Sequence, residues 1–363
     1  MKPDCPYNKL DAPAFWRGSV SAKSYADLTP QLPSSLQIDK AMKIASGGSC
    51  FAQHIARALQ GQGFTYLNTE PGPALLDSDA RSLMGYGLYS ARFGNIYSTP
   101  QLAQLIERAY GEFEPKEEPW EENGAWIDPF RPSVQPGGFS SRQRFIDDRT
   151  THLAAVRDLF ENLDVFVFTM GLTEIWRSRE DGAVFPVCPG CTFGEHDSAK
   201  YEFANLSVAE VVEGFERFYA KLRQVNSKAK IILTVSPVPL AATNTKRHVV
   251  EATNYSKSVL RVAAEELRNR HENVHYFASY EIITNARRND YFSDDLREVS
   301  MLGVAHVMRA FVALFSNDPT EKLETNMAAA PPDSAATETA DTDKVICDED
   351  ELFKAQAVRS KST

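Results

Sequence analysis

Two runs of uninterrupted apolar residues constrain this chain more than any other feature: Asp164-Val165-Phe166-Val167-Phe168-Thr169 and Lys230-Ile231-Ile232-Leu233-Thr234-Val235. A strand that is apolar at every position, rather than at alternate ones, is buried on both faces, as inside a parallel sheet. Each run stands directly behind a segment with helical period, residues 141–163 and 207–225, and the second of these opens on a capping box, Ser207-Val208-Ala209-Glu210. The same alternation extends both ways. Lys43 to Ser46 reads as a strand and Phe51, Ile55, Ala58 and Leu59 as one face of a helix; Phe64 to Thr69 alternates like a strand, and a helix covers Thr99 to Tyr110. Further on come a helix over about 254–270, a strand at 274–277 and a last helix over about 300–315. Strand and helix alternating from about residue 43 to 315 predict an α/β fold, with parallel strands covered by helices and right-handed crossovers.

Around that body the reading places an extended arm over residues 1–40, an α/β domain over 41–316 and a disordered acidic tail over 317–363. Loop-rich insertions are expected at about 111–140, which carries Trp120 and Trp126, and at 177–203. From Asp318 onward eleven acidic and five basic residues supply −6 of the formal charge of −10, so the body is nearly balanced and lacks the basic footprint of a duplex nucleic-acid binder. Within the tail, Val345 to Phe353 is an acidic-hydrophobic island suited to a protein partner. The start Met1-Lys2-Pro3-Asp4-Cys5-Pro6 has no apolar signal region, and no apolar run is long enough to span a bilayer. With five sparse cysteines, the expected setting is cytoplasmic and reducing.

The candidate chemistry begins at Lys43-Ile44-Ala45-Ser46-Gly47-Gly48-Ser49-Cys50-Phe51-Ala52, a strand, a tight turn and a helix. Glycine leaves space at such a turn, and the first N–H groups of the helix favour an anion beside it. A thiol there loses its proton more easily than a free one, which makes Cys50 a candidate nucleophile; Ser49 would need a base. A small buried cysteine that packs the junction satisfies the same pattern. Gly94-Asn95 is either a plain turn or a backbone N–H offered to an oxyanion. Met170-Gly171-Leu172-Thr173-Glu174 closes a buried strand where an open α/β sheet presents its site. Cys188-Pro189-Gly190-Cys191 has only His196 nearby and lacks the further ligands of a zinc site, so neither a metal nor a cofactor is expected.

Gly48-Ser49-Cys50-Phe51-Ala52 resembles the signature of the GSCFA-domain family, which is grouped with SGNH/GDSL-type hydrolases. The segments 93–97, 164–176, 233–240, 255–261, 277–283 and 294–307 resemble that family as well, so the likeness runs over about residues 40–315. It implies a flavodoxin-like three-layer α/β/α sandwich with a parallel sheet. The chemistry implied is that of an acyl-ester hydrolase or O-acyltransferase, with an acylated carbohydrate, small or polymeric, as substrate. Laid on the group's Gly-Asp-Ser turn, the nucleophile position falls on Cys50, and Gly94 matches a glycine that donates to the oxyanion. Thr173, followed by Glu174, stands where the group has an oxyanion-holding asparagine. The group's closing Asp-x-x-His is here Asp295-Leu296-Arg297-Glu298, without its histidine. His306 follows two helical turns later, roughly 12 Å away. The base is then His248, in the loop after a buried strand, or His306, or the carboxylates of Asp295 and Glu298. The alternative is a catalytically degenerate sandwich that binds or scaffolds.

Overall fold

The computed structural model describes residues 4–25, 28–30, 34–285, 290–316 and Asp348. Its described residues group into two compact units, one from 1–39 and 277–337, the other from 40–276 and 338–363.

In the larger unit, β1 (Ile44–Gly48) is followed by α1 (Phe51–Gly61), α2 (Ser78–Leu83) and α3 (Thr99–Ala109). A hairpin of β2 (Trp120–Glu122) and β3 (Ala125–Ile127) precedes α4 (Arg142–Asn162), which leads into β4 (Val165–Met170). Next come β5 (Glu174–Ser178), β6 (Val184–Phe185), β7 (Tyr201–Asn205) and α5 (Val208–Val225). The run closes with β8 (Lys230–Val235), α6 (Val249–Arg270) and β9 (Val274–Phe277).

The central sheet has the order β1-β4-β8-β9, and β4 is parallel to both β1 and β8. Every residue of β1 and β4 is buried, as the continuous apolar run of β4 requires. On the far side of β1 the expected strand at 64–69 is reduced to one parallel bridge, Ile44 with Tyr66, because the chain pairs through Ile44 alone: its N–H donates to Thr65 O at 2.9 Å and its carbonyl accepts from Leu67 N at 2.8 Å. Counting that bridge, the chain crosses from β1 to one side and then to the other, which is the flavodoxin-like order. The reversal between β1 and β4 is the switch point at which open α/β sheets bind ligands. Helices flank the sheet, with α1 packed on β1 and α6 on β8.

The two stretches expected to be loop-rich contain short strands. Trp120 and Ile127 pair across a tight turn at Asn123 (φ 50°) and Gly124 (φ 78°), the primed geometry that Asn-Gly favours. Residues 174–205 form a separate antiparallel sheet, β6-β5-β7, in which Trp176 opposes both Phe185 and Phe203.

In the smaller unit, α7 (Ser279–Ile283) and α8 (Met301–Phe315) follow, and Ser300 caps α8 by accepting from Gly303 N. The arm is tied there: Ile38 N donates to Phe315 O at 2.7 Å, and the Tyr25 hydroxyl donates to Ile282 O. Of the acidic tail, all but Asp348 lies outside the described residues. No helix among the described residues is long and apolar enough to cross a membrane.

Candidate active site

The site is built where β1 and β4 end. Gly48 has φ +139° and runs so close to β4 that a Cβ on it would stand 2.3 Å from Thr169 O, so no other residue fits there. Ser49 N then donates to Thr169 O at 3.0 Å, and the chain turns into α1 with Cys50 as its N-cap. The Ser49 and Cys50 carbonyls accept from Ala52 N and Gln53 N, which leaves the amides of the turn at the positive end of the helix. Both side chains are buried, and Ser49 Oγ has no hydrogen-bond partner.

From the β4 side, Gly171 comes so near that a Cβ on it would lie 3.0 Å from Ser49 Cβ and 2.9 Å from Tyr97 Cδ1. The Gly171 and Leu172 amides both donate to Tyr97 O, at 2.9 and 3.2 Å. From α6, Ser256 Oγ accepts from Thr173 N at 3.0 Å, and the buried Lys257 donates through Nζ to Gly171 O at 2.6 Å. Ser49, Cys50, Tyr97, Gly171, Ser236 and Lys257 are among the residues around a recess of about 10 Å³, the size of one water. Tyr97, Leu172 and Leu240 belong also to a larger cleft of about 240 Å³, walled by Trp176, Phe185 and Phe203.

The structure distributes the expected site residues unevenly. Ser49 and Cys50 line the recess, and Glu174 lines the cleft, where its carboxylate accepts from the Thr243 hydroxyl at 2.6 Å and from Asn244 N at 3.0 Å. Gly94 has φ +69° and lines neither space. Asn95 is buried beside it, accepts from the Tyr89 hydroxyl and donates through Nδ2 to Asp348 at 2.8 Å. Asp348 also lines the cleft, and its backbone N–H donates to the Tyr97 hydroxyl at 3.3 Å.

Thr173 is committed elsewhere. Its hydroxyl donates to Asn205 Oδ1 at 2.7 Å, joining β4–β5 to β7, so the single hydrogen expected to hold an oxyanion is already used. His248 is exposed and caps α6, accepting from Val250 N at 3.2 Å, and it lines neither space. In the smaller unit both nitrogens of the buried His306 are engaged, by the Tyr291 hydroxyl at 2.7 Å and Leu28 O at 3.0 Å. Asp295 in that unit closes a turn, accepting from Arg297 N and Glu298 N at 2.9 and 3.1 Å.

Lys257 was not among the residues that the sequence singled out for chemistry. Its signal was present: it is in phase with Leu260, Ala264 and Leu267 on the buried face of α6, where a charge is out of place.

Cys188 and Cys191 line the cleft as well. The hydrogen bond from Cys188 brings the Cys191 thiol down to about 7, while that bond and burial push Cys188 up. Cys188 Sγ lies 3.9 Å from His196 Nδ1, but no group of three or more His, Cys, Asp and Glu among the described residues is arranged to hold a metal ion.

Behind Gly94-Asn95 lies a buried charge network. Asp128 accepts from Arg131 Nε at 2.9 Å and from Arg149 Nη2 at 3.0 Å, and Asp148 from Arg131 Nη2 at 2.7 Å and from Arg92. Burial raises the Asp128 carboxyl, but Arg149, Arg131 and Arg108 outweigh it and hold it far below the usual range. Glu70 accepts from Arg92 N at 2.7 Å and pairs with His152 Nδ1 at 2.8 Å. Burial, then Arg131, bring His152 down to about 4, so its neutral ring donates Nδ1–H to Glu70.

No curated protein matches this chain. Among solved structures, a family 3 carbohydrate esterase from Clostridium thermocellum is similar at a TM-score of 0.31 and 11% identity, over 80% of this chain and 99% of that one. A carbohydrate esterase family 3 structure from Talaromyces cellulolyticus is similar at 0.25 and 11%, over 64% and 93%. The sequence pattern of the GSCFA family matches residues 43–311, from the strand before the Gly-Ser-Cys turn into the last helix. This match covers well over half of the chain, and the protein belongs to the GSCFA family.

Proposed function

We propose that the protein is an acyl-ester hydrolase or O-acyltransferase acting on acylated carbohydrate, with Cys50 as the nucleophile. The observation that carries this reading is the recess itself. A thiol and an unpartnered hydroxyl stand at a helix N-terminus, at the switch point of a parallel sheet, around a space of about 10 Å³ that adjoins an aromatic cleft. The helix end favours both an anionic nucleophile and the oxyanion that forms when it attacks an acyl carbon. Trp176, Phe185 and Phe203 supply flat faces of the kind that suit sugar rings.

Turnover of a generic aryl acetate tests the assignment. Cys50→Ala is expected to abolish it, and full activity in that variant contradicts a cysteine nucleophile. A binding role without catalysis is the second reading, favoured by the commitment of Thr173 to Asn205 and by the Asp348 carboxylate on Asn95. Iodoacetamide separates the two: the catalytic reading expects Cys50 to react faster than Cys5, Cys188, Cys191 and Cys347, and an inert Cys50 supports binding.

A further inference from the structure

A nucleophile in this recess needs a group that delivers a proton to the leaving alcohol and recovers one from the attacking water. Of the donors that the family resemblance suggested, Gly94 does not line the recess and the Thr173 hydroxyl is engaged elsewhere, as are the amides near it. Gly171 N and Leu172 N are held by Tyr97 O, Thr173 N by Ser256 Oγ, and the Thr173 hydroxyl by Asn205. None of the residues that line the recess is a histidine or a carboxylic acid, and among them Lys257 alone has a basic side chain. Its position is built: α6 buries it, and Gly171 O takes one N–H at 2.6 Å, which aims Nζ at the turn that contacts Ser49. Because the recess has the volume of about one water, a group on its wall reaches a reacting atom directly or through that water.

We propose that Lys257 is the proton-transfer residue of this site, in the role for which the sequence offers no suitably placed histidine. The inference rests on the reading of Cys50 as an acylated nucleophile. The Cys50 thiolate attacks the ester carbonyl, forming a C–S bond and an oxyanion. The oxyanion collapses, the C–O bond to the alcohol breaks, and the leaving alkoxide takes a proton from the Lys257 ammonium. Water, or an acceptor hydroxyl, then attacks the thioester and gives its proton to the neutral Lys257 amine. The C–S bond breaks, and both the thiolate and the ammonium are restored. The sum is ester plus water to acid plus alcohol, or exchange of one alcohol for another.

A leaving-group comparison on the purified full chain tests this. Alkyl acetates release an alkoxide that must be protonated, whereas 4-nitrophenyl acetate releases a phenolate that need not be. Lys257→Met is expected to lower kcat/KM, which reports acylation and not the deacylation common to both esters, by about 100-fold or more on an alkyl acetate and by far less on the nitrophenyl ester. Equal losses on both esters would assign Lys257 a structural role and overturn the proposal, as would unchanged rates on both. If the methionine variant does not fold, Lys257→Arg gives the same comparison, since arginine keeps the cation but does not release its proton. Activity retained by Cys50→Ala would overturn the acyl-enzyme reading itself. A dead Cys50→Ala beside an unimpaired Lys257→Met would overturn the lysine assignment alone.

Discussion

Two polar regions lie within the larger unit, and they handle charge in opposite ways. The network behind Gly94-Asn95 sets Arg92, Arg131 and Arg149 against Asp128 and Asp148, with most of their polar atoms paired within 3.0 Å. The recess at the end of β1 and β4 holds one lysine, one thiol and a hydroxyl whose oxygen has no partner. Gly48 and Gly171 let the chain ends of β1 and β4 approach closely beside it. Buried ion networks hold geometry and are costly to break, whereas a polar space left incompletely satisfied is suited to a reacting group. The contrast extends to histidine. His152 and His306 are buried in structural contacts, and the recess has none.

Variants of the two regions are expected to separate stability from turnover. The largest stability effect belongs to the network. Asp128→Asn removes the charge that faces Arg131 and Arg149, and a loss of about 3–5 kcal/mol is expected in urea unfolding, with turnover per folded molecule kept. A loss below about 1 kcal/mol would mean that the network does not hold this region.

A pH effect comes next. Folded His152 stays neutral down to about pH 4, while the unfolded chain binds that proton near 6.5. Stability is therefore level above about 6.5 and falls as the pH drops toward 4, by on the order of 3 kcal/mol from this one group. Glu70 adds a loss below 4.5: burial raises its carboxyl, but the His152 hydrogen bond and then Arg131 outweigh it, and the net direction is down. Unfolding midpoints measured from pH 7 to 4.5 should fall less steeply in His152→Gln, and an unchanged slope would locate the acid sensitivity elsewhere.

Gly171→Ala sharpens the comparison from the other side. Its Cβ would press on Tyr97 and Ser49, so crowding of about 1–3 kcal/mol is expected, together with a fall in kcat/KM on an aryl acetate of about tenfold. The smallest effect belongs to Asp348, whose carboxylate sits on Asn95 at the cleft. Releasing one hydrogen bond of about 1 kcal/mol in Asp348→Ala should raise kcat/KM about fivefold. No change would mean that this contact does not restrict the cleft.

The parallel sheet could be read from the chain because its cause is local: β4 and β8 are apolar at nearly every position, and Ser207 with Glu210 marks the start of α5. The second sheet was not, since Glu174-Ile175-Trp176-Arg177-Ser178 alternates only weakly and is held by partners about 10 to 30 residues away. The Asn123-Gly124 hairpin carried a usable signal that the prolines and glutamates around it obscured. For the site, the turn at Gly48-Ser49-Cys50 was plain from glycine and helix phase. The roles of its neighbours were less so, because they depend on which hydrogen each group has already committed. Thr173, His248 and His306 have the residue types that the chemistry wants, yet each donates or accepts in a structural bond. Lys257 has its importance from a helix that returns to the turn more than 80 residues later, as its bond to Gly171 shows.

The most direct test of the account is to trap the acyl group. The full chain is mixed with an activated acetyl ester, quenched in acid during turnover, digested and read by peptide mass spectrometry. The account predicts an acetyl thioester on Cys50 that disappears as the ester is consumed. An acetyl group on Ser49, or steady turnover with Cys50 unmodified throughout, would contradict it.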